Sequence, residues 1–257
     1  MKKIAIAMFI VVTCFTSSLA CAEKITVAAA ADLKFAMEEV AAYFRSSHPD
    51  DVVDVIFGSS GKAHTQIQQG APYDLYFSAD ESFPQELIER GLSASPKVIP
   101  YALGRIVLWS NTLDASKMTL ESLVNPEIIH VATANPAHAP YGRRGVEALK
   151  AAGVWERVEP KMVYGENITQ ASQFVQSGNA QVGIIALSIA MAPELSSKGG
   201  YFLIPDELHE PLKQGFIITK RAENNALAHK FADFMNSQEA RSVMIRYGFV
   251  LPGETIN

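Results

Sequence analysis

The chain has 257 residues, 48% of them hydrophobic, which is enough to bury a large core in one or two compact units. Its formal net charge is −5 and it has no long basic run, which excludes the broad positive face that nucleic acid requires. An anionic ligand would need a local site, because the field of the whole protein repels it.

The first residues read as a secretory signal. Lys2 and Lys3 form a positive start, residues 4–15 are apolar, and Ala20 and Ala22 occupy the small-residue positions of a cleavage site before Glu23. The apolar run is too short to span a bilayer comfortably. Lipid attachment at Cys21 is the alternative, but it would want an aliphatic residue three positions earlier, where Ser18 stands. Cleavage after residue 22 would remove both cysteines, Cys14 and Cys21, so the mature chain is expected to carry no disulfide and no cysteine metal site.

From Glu23 the pattern alternates. Residues 24–31 read as a buried strand. Leu33, Met37, Val40 and Phe44 then recur at helical spacing, with Asp32 where an N-cap belongs. Strands are expected at 51–58 and 73–80, with helices at 62–69 and 83–91. This order means an α/β fold with a largely parallel sheet. Residues 101–110 read as one long apolar strand. A second set follows, with strands at 129–136, 161–165, 180–187 and 201–205. Helices are expected at 141–153, 167–178 and 188–196. A strand at 214–220 and two final helices, 225–237 and 238–248, complete the chain. Two α/β sets joined by two long strands predict two lobes: 23–103, 104–215, and a segment 216–257 returning to the first.

Four strand-to-helix turns stand out: 28–34, 57–62, 135–145 and 165–171. Turns of this kind face the ligand crevice of an open α/β sheet. Each exposes backbone N–H groups that lack intrahelical partners and favour anions. Ser59, Ser60 and Tyr141 add hydroxyl donors. The plain alternative is that Ser and Asp at such places only cap helices.

Other chemistries fit poorly. The run Gly58-Ser59-Ser60-Gly61-Lys62 has two residues between its glycines where a nucleotide phosphate loop needs four, and Ala63 follows the lysine. It also lacks the spacing of a nucleophile elbow, and His64, one turn along, is expected to face solvent. No cysteine pair or H-E-x-x-H occurs, and the cluster Asp206, Glu207, His209 and Glu210 reads as a solvated turn. Arg143 and Arg144 suit either an anion site or a helix surface.

Several runs together resemble the periplasmic molybdate-binding proteins of ABC importers: AAADLKFAMEEVA, GSSGKAHTQIQQGAPYDLYFSADE, YALGRIVLWS, NPAHAPYGRRGVEAL, QSGNAQVGIIAL and RYGFVLP. They occur in order along nearly all of the chain after residue 22. The subtype with A-P-Y-G in the third turn binds molybdate and tungstate. The resemblance implies a two-lobed type II periplasmic binding fold that closes on one tetrahedral oxyanion. It also implies no enzymatic activity, no cofactor, no direct protein–metal bond, a monomer in the periplasm and an inner-membrane ABC permease as partner. Carried over by position, the oxyanion ligands would be Ala31, Asp32, Ser60 with Ser59 beside it, the Tyr141 hydroxyl, and Ile168 through its N–H. Asp32 would turn away to cap its helix and offer only its N–H. Ala186 stands where many members place a ligating tyrosine, a role Tyr141 would take. A receptor for sulfate, phosphate or a small carboxylate is the alternative, and a secreted hydrolase using Ser60 is a further one.

Overall fold

The computed structural model describes residues 23–254, so the expected signal segment with Cys14 and Cys21 lies outside the described residues. Two five-stranded sheets organise the chain. The first is built from β1 (Lys24–Ala30), β2 (Val52–Gly58), β3 (Leu75–Ser78) and β4 (Ile99–Gly104), linked by α1 (Lys34–Ser47), α2 (Ser60–Gln68) and α3 (Ser82–Glu89). The second contains β5 (Ile106–Trp109), β6 (Val131–Ala134), β7 (Met162–Gly165), β8 (Val182–Ala186) and β9 (Tyr201–Leu203). Its helices are α4 (Pro140–Ala151), α5 (Trp155–Val158), α6 (Ile168–Gln176), α7 (Leu187–Ala190) and α8 (Pro193–Ser196). The chain then returns through β10 (Leu212–Ile218), α9 (Ala226–Phe234) and α10 (Gln238–Arg246).

Both sheets follow one plan. In the first, ordered β2-β1-β3-β10-β4, β1 pairs in parallel with β2 and β3, and β10 pairs antiparallel with β3 and β4. In the second, ordered β7-β6-β8-β5-β9, β6 pairs in parallel with β7 and β8, and β5 pairs antiparallel with β8 and β9. Parallel strands need helical crossovers, which is why the apolar runs alternate with amphipathic ones. The returning helices pack on the first lobe: Phe231 of α9 meets Phe44 of α1 edge to face at 5.2 Å. Phe77 of β3 stacks on Phe216 of β10 at 4.5 Å, tying the returning strand into the same core.

Two boundaries differ from the sequence reading. The expected single strand 101–110 is two strands in different sheets, broken at Arg105. At the break a Cβ on Gly104 would lie 2.3 Å from the Tyr141 hydroxyl and 2.4 Å from Gln214 Nε2, so only glycine lets these side chains approach. The return strand enters the first sheet at Leu212, ahead of the expected boundary at 215, and residues 204–211 make the second crossing. Helix α2 begins at Ser60, earlier than the hydrophobic periodicity alone predicts.

Candidate functional site

Four helix starts converge where the lobes meet. A 3-10 turn, Ala31–Leu33, leads into α1, and α2, α4 and α6 begin at Ser60, Pro140 and Ile168. Residues from all four line one small pocket: Ala31 and Asp32, Ser59 and Ser60, Pro140 and Tyr141, and Ile168. The pocket therefore brings together every residue proposed for the site from sequence. Pro140 at the first helical position has no N–H to lose there and presets the backbone for Tyr141. The N–H groups of a helix's first turn have no intrahelical acceptors, so four such turns present several partial positive charges to one volume.

No lysine, arginine or histidine lines this pocket. Arg143 reaches across the cleft to Asp80 (3.0 Å), and Arg144 pairs with Glu147 on its own helix (2.7 Å). A larger open groove outside, lined in part by Asp80, Lys97, Arg144, Glu210 and Lys213, carries both signs of charge and suits no single small anion.

The hydroxyl groups have distinct roles. Ser60 Oγ accepts the Ala79 N–H (3.0 Å), and the Ser60 carbonyl accepts the Tyr76 hydroxyl (2.7 Å). The Ser60 oxygen is thus held in place while its hydrogen stays free for a further acceptor. Ser59 is the N-cap residue of α2 but makes no cap bond, and its Oγ lies 2.9 Å from His138 Nδ1 on the opposite lobe. Capping, the plain alternative for these loops, does hold at Asn167, whose side chain accepts the Gln170 N–H at the start of α6.

Asp32 departs from expectation. It does not cap its helix: the 3-10 turn begins one residue earlier, so Asp32 already lies inside the turn, and its carboxylate is taken up by Tyr141 and Gln214. The side chain is only 2% exposed. Oδ2 accepts from the Tyr141 hydroxyl (3.0 Å) and from Gln214 Nε2 (2.9 Å), and Gln214 Nε2 also lies 3.0 Å from the Tyr141 oxygen. The Tyr141 hydroxyl, expected to be free for an oxyanion, is thus held by a carboxylate, because a buried acid demands donors more strongly than any neutral acceptor. Oδ1 of Asp32 is buried with no hydrogen-bond partner, as is Oε1 of Gln214. Burial pushes the Asp32 acid up to about 6, against the bonds from Gln214 and Tyr141, which pull it down. Burial, then the charge of Asp32, pushes the Tyr141 hydroxyl well above the ordinary phenol range.

Sequence reading missed the residues that hold these groups from a distance. Gln214 sits on β10, a buried amide in an apolar strand, and that contrast is its only signal. The Ser188 hydroxyl of α7 donates to the Asp32 carbonyl (2.8 Å), and the Thr169 hydroxyl of α6 donates to the Ala31 carbonyl (2.8 Å). Both clamp the first turn from the second lobe. The Gly61 N–H donates to the His138 carbonyl (3.0 Å), and Lys62 pairs with Glu166 across the same gap. His64, expected at the surface, lies buried against Phe83 and 3.2 Å from Glu86, because α2 packs on α3. Ala186 is fully buried in β8 opposite Ile106 and is absent from the pocket lining. Among the described residues no group of acidic, histidine or cysteine side chains is arranged to hold a metal ion.

Residues 25–250 match the family model of bacterial extracellular solute-binding proteins. The molybdate-binding protein ModA of Rhodobacter capsulatus is 35% identical over 232 residues, covering 90% of each chain. Among solved structures, the periplasmic molybdate-binding protein of Azotobacter vinelandii superposes with a TM-score of 0.83 at 30% identity, covering 89% of this chain and 99% of that one. The sulfate-binding protein SubI of Mycobacterium tuberculosis H37Rv shares the fold, with a TM-score of 0.73 at 17% identity over 90% of this chain and 88% of its own.

Proposed function

The chain belongs to the bacterial extracellular solute-binding protein family, and we propose that it captures molybdate, and tungstate by the same contacts, for delivery to an ABC transporter permease. It would work as a periplasmic monomer without a cofactor. The observation that carries this reading is the convergence of four helix starts and the Ser60 hydroxyl on one small pocket without a cationic side chain. A tetrahedral dianion placed there would accept the N–H groups of Ala31, Asp32, Tyr141 and Ile168, and the Ser60 hydroxyl. Hydrogen bonds to a charged group contribute about 1.5–3 kcal/mol each, so a handful suffice without a full counter-charge. Release to a permease then requires only that the lobes part.

Selection against sulfate follows from size. The donors sit on helix starts anchored by sheets, so they cannot close on a shorter anion, and a donor left unpaired costs free energy. Catalysis by Ser60 finds no support in the geometry. Its oxygen accepts a backbone N–H, and the imidazole at the cleft contacts Ser59 instead.

Thermal melting tests the reading. At a hundred-fold excess over Kd, ligand linkage adds about 2.7 kcal/mol, which for a chain of this size should raise Tm by about 5–10 °C. Molybdate and tungstate should produce that shift and sulfate and phosphate should not. A larger shift with sulfate would assign the pocket to the smaller anion. Ser60→Ala is expected to weaken molybdate binding roughly 10- to 150-fold through the loss of one charge-assisted bond. It should also lower the Tm of the free protein, since the Ala79 N–H loses its acceptor. Calorimetric affinity unchanged by Ser60→Ala would remove this hydroxyl from the site.

A further inference from the structure

The buried acid in this pocket is at odds with a dianionic ligand. Asp32 lines the same small volume as Ser60, Tyr141 and Ile168. A carboxylate there would face a doubly negative ion with no cation among the lining residues to offset either charge. Like charges this close disfavour joint ionisation, and burial removes the water that would screen them.

We propose that the protein takes up one proton with its oxyanion, and that this proton resides on the Asp32 carboxyl in the complex. The inference rests on the anion-receptor reading and deepens it. The geometry supplies two reasons besides charge. Oδ1 is buried and accepts no bond, so it has a vacant position for a proton and, once protonated, can act as a donor. Oδ2 holds the Tyr141 hydroxyl hydrogen only as long as the group is a strong acceptor. Protonation weakens that hold and releases the phenolic hydrogen for the oxyanion. One proton therefore removes a repulsion and makes available up to two donors. No bond other than O–H forms or breaks, and the proton comes from solvent.

The surroundings single out Asp32. Tyr141 of α4 and Tyr101 of β4 are the titratable side chains facing it, and burial keeps both hydroxyls protonated. Gln214 of β10, Thr169 of α6 and Ser188 of α7 present neutral groups to the same turn. On the side of α1, Lys34 turns to the ring of Phe35, and β2 ends at Gly58 beside the pocket. Across the cleft the His138 ring turns its two nitrogens to Ser59 Oγ (2.9 Å) and to Glu166 (4.0 Å).

Isothermal titration of the full mature chain with sodium molybdate at pH 8, in two buffers of different ionisation enthalpy, counts the protons directly. About one proton should be absorbed per molybdate bound. From pH 7 to 8.5 the affinity should fall close to tenfold per pH unit, since the ionised carboxylate must take up a proton as the anion enters. Asp32→Asn should bind with no proton uptake and no pH slope in this range. Uptake that persists in Asp32→Asn would place the proton on another group and overturn the assignment. Binding by the wild-type chain without proton uptake would overturn the proposal while leaving the receptor reading intact, and this result needs no variant to fold. No heat with either molybdate or tungstate, from a chain whose melting shows it folded, would overturn the receptor reading and the proposal with it.

Discussion

Replacing Gly61 with alanine is expected to weaken oxyanion binding roughly 5- to 150-fold while leaving the melting temperature of the free protein nearly unchanged. A Cβ at this position would lie 2.7 Å from the His138 carbonyl oxygen and 3.1 Å from its Cα. Those are backbone atoms of the opposite lobe, on the loop that brings Tyr141 to the pocket, and the Gly61 N–H donates to that same carbonyl. The three atoms nearest the new methyl all belong to His138 of the other lobe, so this clash arises when the lobes are together. Overpacking of this kind costs about 1–3 kcal/mol, and each 1.4 kcal/mol is tenfold in affinity. Calorimetry with molybdate, alongside melting of the ligand-free chain, separates the two effects. Equal losses in both would mean that the contact belongs to the resting fold and not to closure.

Gly142→Ala should do the reverse in origin and damage the second lobe itself. Its Cβ would fall 2.0 Å from the Ala134 carbonyl oxygen and 2.7 Å from the Ala134 carbonyl carbon. Both atoms belong to the end of β6, and α4 starts only two residues before Gly142, so neither backbone can yield without moving strand or helix. A destabilisation of about 3 kcal/mol, at the upper end for overpacking, corresponds to a fall in Tm of roughly 6–12 °C for a protein of this size. Differential scanning calorimetry reads this directly. A variant that melts within a degree or two of the parent would show that the close approach of α4 to β6 is dispensable.

The helix starts were legible in the sequence because their signals are local. Gly58-Ser59-Ser60, Pro140 and Asn167 each mark a helix entrance within three or four residues, and each stands at one in the structure. What could not be read was where their side chains turn. Asp32 has the residue type and position of a cap, but the helical turn begins a residue earlier and its carboxylate finds partners far along the chain. Gln214 is 182 residues away, and Ser188, which holds the Asp32 carbonyl, is 156 away. No short window contains both ends of such a bond. The break at Arg105 was hidden for a related reason. Residues 101–110 form one apolar run, and the change of sheet falls where Tyr141 and Gln214, both distant in sequence, crowd Gly104. His64 was misread because the face of α2 that contains it is covered by α3, a tertiary contact that helical periodicity alone does not encode.

The strand order of the first sheet bears on how the molecule assembles. β10 lies between β3 and β4, so β4 has no neighbour until residues 212–218 arrive. The second sheet, by contrast, is complete by Leu203 and draws on one unbroken stretch of chain. During synthesis from the N-terminus the middle of the polypeptide can therefore reach its final form first, while the beginning waits, partly made, for the end. A nascent chain stopped short of residue 212 would carry one finished half and one with the slot between β3 and β4 still vacant.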